Sequence, residues 1–189
     1  VLTVLATYFL AKELFNKKIG LLSGFFMAIS FWHVNLSRIG FRAIAAPLFL
    51  VLTLYFLLKG LKSKRFFHFA ISGLFLGLGL YTYIVFRIVP VILIIIAISY
   101  LYYLKKQLKS SEEYNKLFKK ICYGFLLLIL IFLTVSIPLL YYFYMHPENL
   151  LSRVNQVSIF SENNLLGNFI TNWILTLSMF NVVGDMNWR

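Results

Sequence analysis

Apolar residues come in six long runs, at about residues 1–15, 19–32, 43–58, 66–83, 88–104 and 121–144, separated by short clusters of charge or turn residues. No run alternates with the period of two that a half-buried strand or a membrane barrel requires. Uninterrupted runs approaching the roughly 20 residues of a membrane crossing predict helices, since backbone groups in lipid must be satisfied within their own segment. The pattern predicts an all-α, polytopic transmembrane helix bundle of about six spans over residues 1–144.

From residue 145 to 189 the pattern changes. Ser161 and Asn164 form a capping signal ahead of an apolar stripe at Leu165, Leu166, Phe169, Ile170, Trp173, Ile174 and Leu177, with Asn164, Asn168, Thr171 and Asn172 on the opposite face. This segment predicts an extracytoplasmic loop carrying an amphipathic helix, docked on protein or on the membrane surface. A seventh span is the competing reading, weakened by two asparagines one turn apart. The chain starts inside an apolar run with no basic leader, as a piece of a longer protein would.

Composition agrees with the pattern: 61% of residues are hydrophobic, 13% are charged, and the mean hydropathy is +0.84. The net charge of +12 invites a nucleic-acid reading, but the cations sit in short loops between apolar runs instead of forming one patch on a soluble fold, and nucleic acid is excluded as a partner. The single cysteine, Cys122, excludes an internal disulfide and a cysteine metal cluster.

The charges are sorted by type. Of the 18 basic residues, the lysines all fall in alternate connections, at positions 12, 17, 18, 59, 62, 64, 105, 106, 109, 116, 119 and 120. The positive-inside rule makes those connections cytoplasmic in a multi-pass protein of the plasma membrane. The other side holds Arg38, Arg42, Arg87, Arg153 and Arg189, leaving only Arg65 among the lysines. Lysine supplies a point charge, whereas the planar arginine fork suits bidentate contacts to phosphate.

No phosphate loop, dinucleotide fingerprint, metalloprotease or nucleophile-elbow motif is present. Candidate chemistry is therefore confined to the outer rim. Arg38 and Arg42 are one turn apart, and would share a face if the stretch were one helix. Arg87 follows Tyr81 and Tyr83 in "GLYTYIVFRIVP", and His33 sits beside Trp32. Cations so close to hydrocarbon need counter-charge, and the outer side offers only Glu148, Glu162 and Asp185. An anionic ligand at Arg38, Arg42 and Arg87, with Tyr81 and Tyr83 nearby and His33 as an accessory donor, completes the pairing. Snorkelling to lipid headgroups, or structural ties to the late carboxylates, is the alternative. Gly73, Gly77 and Gly79 predict close helix packing.

The stretch from Val1 to Gly60, with "AKELFNKK" after the first run and "SR" at Ser37 and Arg38, together with "GLFLGLGLYTYIVFRIVPVILI" and the late "GDMNWR", resembles the GT-C membrane glycosyltransferases. The likeness points to the family of protein O-mannosyltransferases and the lipid A aminoarabinose transferase. It implies a GT-C-type bundle and a transferase moving a sugar from a polyprenyl-phosphate donor to a protein, lipid or glycan acceptor at the outer face. In that family the principal catalytic aspartate lies in the first outer loop, which would precede Val1. A further acid often follows the "SR" pair, where Ala43 stands here; Asp185 is the remaining carboxylate candidate, and the chemistry admits a divalent metal. A transporter or flippase with an arginine-lined anion site, and a non-catalytic membrane scaffold, are the rival readings.

Overall fold

The computed structural model describes residues 1–107, 111–147 and 173–174. All of the described regular structure is helical: α1 (Leu2–Leu14), α2 (Lys17–Ile29), α3 (Phe31–Ile39), a 3-10 turn at Arg42–Ile44, α4 (Ala45–Ser63), α5 (Phe66–Gly79), a 3-10 stretch at Ile84–Ile88, α6 (Val89–Gln107) and α7 (Ser111–Met145). Each of the six apolar runs is helical over most of its length, as the pattern predicts. The chain divides into two compact units, Val1–Leu139 and Leu140–Arg189. The predicted amphipathic helix falls almost wholly outside the described residues; Trp173 and Ile174 are helical and exposed.

Length corrects the expectation of six spans. Among the described residues, three helical segments are long and apolar enough to cross a membrane, Arg42–Ser63, Ile84–Gln107 and Tyr114–Met145, and α2 with α3 makes a fourth if that pair, bent by 52°, is one span. At 1.5 Å per residue, the 13 residues of α1 and the 14 of α5 rise only about 20 Å, against a hydrocarbon core of about 30 Å. The breaks have local causes. Asn16 caps α2 by accepting from the Ile19 amide at 2.9 Å, while Ser30, with extended backbone, separates α2 from α3.

Polarity is distributed as in a membrane protein. Leu21, Leu22, Phe25, Phe26 and Ile29 of α2 are all exposed, whereas Thr53, Ser72 and Ser136 are buried. Small residues let the helices approach: a Cβ added to Gly73 would collide with the Leu128 carbonyl of α7, and one at Gly77 would lie 2.7 Å from the Val135 side chain. The fully buried Phe69 ring sits between Gly60 of α4 and Gly124 of α7, where added Cβ atoms would come within 3.0 and 2.7 Å of it. The Ser72 hydroxyl donates to the Thr53 carbonyl at 2.9 Å and ties α5 to α4. Leu57, Leu61, Leu76, Ile121 and Leu128 complete a core where α4, α5 and α7 meet.

These ties fix the direction of each helix. Lys62 near the end of α4 bridges Glu13 near the end of α1 at 2.9 Å, so α1 and α4 run parallel. Tyr100, late in α6, donates to the Leu61 carbonyl at 3.2 Å, while Tyr81, just past α5, donates to the Val135 carbonyl of α7 at 2.8 Å. One end of the bundle therefore gathers the ends of α1, α4 and α6, where Lys12, Lys59, Lys62, Lys64, Lys105 and Lys106 lie. The other gathers the α2–α4 and α5–α6 connections, which carry Arg38, Arg42 and Arg87.

Candidate functional site

The arginine end is built from two connections. The first is α3 and the 3-10 turn that follows it. Arg38 lies in the last turn of α3, which Gly40 terminates in the left-handed conformation (φ 68°), its following amide reaching back to the Leu36 carbonyl. Arg42 then starts the 3-10 turn. The two arginines thus do not share a helix face, contrary to what a continuous helix would give. The cause is legible in "SRIG": a glycine at the C′ position ends the helix between them.

Arg38 instead borders a cavity of about 350 Å³ between the first turn of α1, the end of α2 and α3, lined also by His33, Ser37, Val4, Leu5 and Ala28. His33 and Ser37 are four apart and share a face of α3. The accessory histidine and one candidate arginine therefore border one space, with a hydroxyl between them in sequence. Arg38 and Arg42 are exposed and His33 is half-buried.

The second connection runs from Leu80 to Ile88. Successive 3-10-type bonds close the end of α5, from the amides of Leu80, Tyr81 and Thr82 to the carbonyls of Gly77, Leu78 and Gly79. The Thr82 hydroxyl also donates to the Gly79 carbonyl, at 2.6 Å. Phe86 is buried with its ring lying on Gly79, so that any Cβ there would clash. This lock fixes the 3-10 stretch and holds the next residue, half-buried Arg87, at the rim.

Tyr81 and Tyr83 act differently from each other. The Tyr81 hydroxyl donates to the Val135 carbonyl in α7, three residues before Pro138. Proline removes one helical donor and crowds the carbonyl of the preceding turn, and in membrane helices neighbours compensate the disturbed backbone. Tyr81 is therefore a tie between α5 and α7. Tyr83 packs edge-on against Phe41, with ring centroids 6.1 Å apart. That contact joins the two connections, bringing the loop of Arg42 beside the loop of Arg87. Sequence reasoning missed both Phe41 and the Val135 carbonyl, since neither a lone aromatic nor a backbone acceptor leaves a motif.

The described carboxylates lie elsewhere. Among the described residues, Glu13 pairs with Lys62 at the lysine end, and Glu112 and Glu113 open α7. Asp185, Glu148 and Glu162 lie outside the described residues, as do Arg153 and Arg189. No group of three His, Cys, Asp or Glu able to hold a metal gathers among the described residues, and no step is assigned to a metal.

A comparison with curated proteins gives no match, and a comparison with solved structures gives none. A family model does match, that of the N-terminal region of the oligosaccharyl transferase STT3, over residues 1–183. The GT-C resemblance named the O-mannosyltransferase and aminoarabinose transferase branch, whereas the matching model is the STT3 one, itself a GT-C glycosyltransferase family. With nearly the whole length matched, on an all-helical membrane architecture, the chain belongs to the oligosaccharyl transferase STT3 family, in its N-terminal region.

Proposed function

We propose that this chain is part of a membrane glycosyltransferase that takes a glycosyl group from a polyprenyl-phosphate carrier at the arginine end of the bundle and delivers it to a protein, lipid or glycan acceptor. The observation that carries the reading is the Phe41–Tyr83 contact, which brings two arginine-bearing connections together at an end where the described residues include no carboxylate. STT3 membership supports glycosyl transfer as the reaction class. The lysine-rich end faces the cytoplasm of a plasma-membrane protein by the positive-inside rule, so transfer takes place at the outer face.

In such a transfer the carrier phosphate leaves as charge develops on its oxygens. Fixed guanidinium groups stabilise that charge without reorganising. Arg42 and Arg87 supply it from the two connections that the Phe41–Tyr83 contact joins, and Arg38 with His33 borders a separate cavity. The acceptor's proton goes to a carboxylate base. Asp185 is the carboxylate of this chain proposed for that role. Whether the donor carries one sugar, as in the mannosyltransferase-like reading, or an oligosaccharide, as the STT3 name suggests, is read out by the donor panel below.

The test is transfer by the complete protein from a panel of polyprenyl-phosphate-linked and pyrophosphate-linked sugars and oligosaccharides. Arg42→Gln raises the KM for the active donor by roughly 10- to 100-fold, the range for a lost charge-assisted hydrogen bond. Transfer kinetics unchanged in both Arg42→Gln and Arg87→Gln would overturn the assignment.

A further inference from the structure

The lysine end of the bundle carries a cation cluster of its own, in the connection from α4 to α5. Lys59, Lys62, Lys64 and Arg65 fall there in close succession. Lys62 is taken up by Glu13, whereas Lys59, Lys64 and Arg65 pair with no carboxylate among the described residues. Two of the three are held in place. The Lys59 ammonium lies over the Tyr55 ring, 4.8 Å from its centroid, and the Lys64 ammonium lies over the Tyr100 ring of α6 at 5.8 Å. Lys64 Nζ also donates to the Tyr100 hydroxyl at 3.4 Å, and that hydroxyl in turn donates to the Leu61 carbonyl at 3.2 Å. Ser63 closes the turn. Its hydroxyl donates to the Lys59 carbonyl at 2.6 Å, which uses its one proton, so it accepts from His68 Nδ1 at 3.2 Å.

Lys64 is also unusual in its backbone. It ends α4 in the left-handed conformation (φ 57°), with its amide on the Gly60 carbonyl, and it is the only described residue other than glycine with positive φ. Glycine or asparagine is the ordinary choice at such a position. A lysine kept there against that preference points to a use for its side chain.

We infer that the α4–α5 connection binds the phosphate headgroup of an anionic glycerophospholipid, with Lys59, Lys64 and Arg65 as its counter-charges. The site lies at the opposite end of the bundle from Arg42 and Arg87 and stands independently of the donor reading. Two features favour a lipid over a soluble anion or an acidic protein. Lys59 and Lys64 are half-buried, folded down on tyrosine rings at the end of the bundle instead of reaching out toward solvent. Phe66 and Phe67 follow Arg65 directly and are exposed, so an apolar surface for acyl chains adjoins the cations. Lysine and arginine clusters next to a span draw anionic lipids in this way, and ammoniums already stacked on rings lose little freedom in binding one.

Native mass spectrometry of the full-length protein, delipidated in detergent, compares binding of dioleoyl phosphatidylglycerol and dioleoyl phosphatidylcholine. Phosphatidylglycerol binds preferentially, and Lys64→Gln combined with Arg65→Gln weakens it about tenfold, the loss of a charge-assisted hydrogen bond. Lys17→Gln combined with Lys18→Gln removes the same charge from the same end and changes binding by less than about twofold. Lys64→Gly separates ligand from fold: it relieves the left-handed backbone and raises the thermal midpoint in lipid-free detergent, yet weakens phosphatidylglycerol binding several-fold. A raised midpoint with binding unchanged would overturn the inference. Equal losses in the two double variants would mean diffuse attraction and overturn it as well. Equal binding of phosphatidylcholine, or full displacement of phosphatidylglycerol by inorganic phosphate or by an acidic peptide, would do the same, the last two by making this a soluble-anion or protein-docking surface.

Discussion

The Phe41 and Tyr83 rings meet edge to face with centroids 6.1 Å apart, and they are the contact by which two loops distant in sequence share one end of the bundle. Edge-to-face pairs contribute about 0.5–1.5 kcal/mol beyond the area they bury. Phe41→Ala is expected to raise the donor KM by several-fold with kcat nearly unchanged, and Tyr83→Phe, which keeps the ring, is expected to be silent. Steady-state transfer kinetics check this; a fall in kcat at constant KM would show that the pair serves something other than loop placement.

Helix contact through glycine gives a second prediction. Gly73→Ala puts a methyl into the Leu128 carbonyl, which is helix backbone and yields little. A cost of about 1–3 kcal/mol follows from overpacking. Thermal unfolding in detergent should show a clear drop for Gly73→Ala. Gly40→Asn should show almost none, since Gly40 has open space around it and asparagine tolerates its left-handed backbone. Equal midpoints for the two variants would count against the close α5–α7 approach.

Tyr81 is predicted to matter for stability more than for donor affinity. Its hydroxyl serves the Val135 carbonyl beside the proline turn of α7. Tyr81→Phe should cost about 1 kcal/mol of stability, measured by denaturation, while phosphate-head affinity measured with geranyl phosphate stays within about twofold. A large loss of that affinity at unchanged stability would return Tyr81 to the ligand.

The Lys62–Glu13 pair is predicted to contribute little. Its side chains are 57% and 29% exposed, and pairs of this kind give about 0–1 kcal/mol. Lys62 also donates to the Glu13 carbonyl, so Lys62→Ala loses two contacts at once. A double-mutant cycle with Glu13→Gln should return a small coupling that shrinks further as salt is added. A coupling above about 2 kcal/mol would contradict the exposed geometry.

Much of this could be read from the chain alone, and the exceptions are specific. The six helical runs, the sorting of lysine from arginine and the close-packing glycines of α5 follow from local chemistry. The break at Gly40 was also local, and a C′ glycine two residues past Arg38 was its signal. Span number was not legible, because hydropathy marks where a helix is apolar but not where a capping Asn16 or an extended Ser30 shortens it. The tie from Tyr81 to α7 was not legible either, because its acceptor, a carbonyl 54 residues away, leaves no mark in the sequence.

By itself the sequence determined that the chain is helical, that it resides in a membrane, and that Arg38, Arg42 and Arg87 lie at the end opposite the described lysines. Those properties depend on each segment's own transfer energy and on the alternation of loops between crossings. Only the tertiary structure decided which loops meet. The Phe41–Tyr83 contact, the seating of Phe86 on Gly79 and the gap left between α6 and α7 depend on how helices of fixed direction pack, and that is set by side-chain volumes at contacts far apart in the chain.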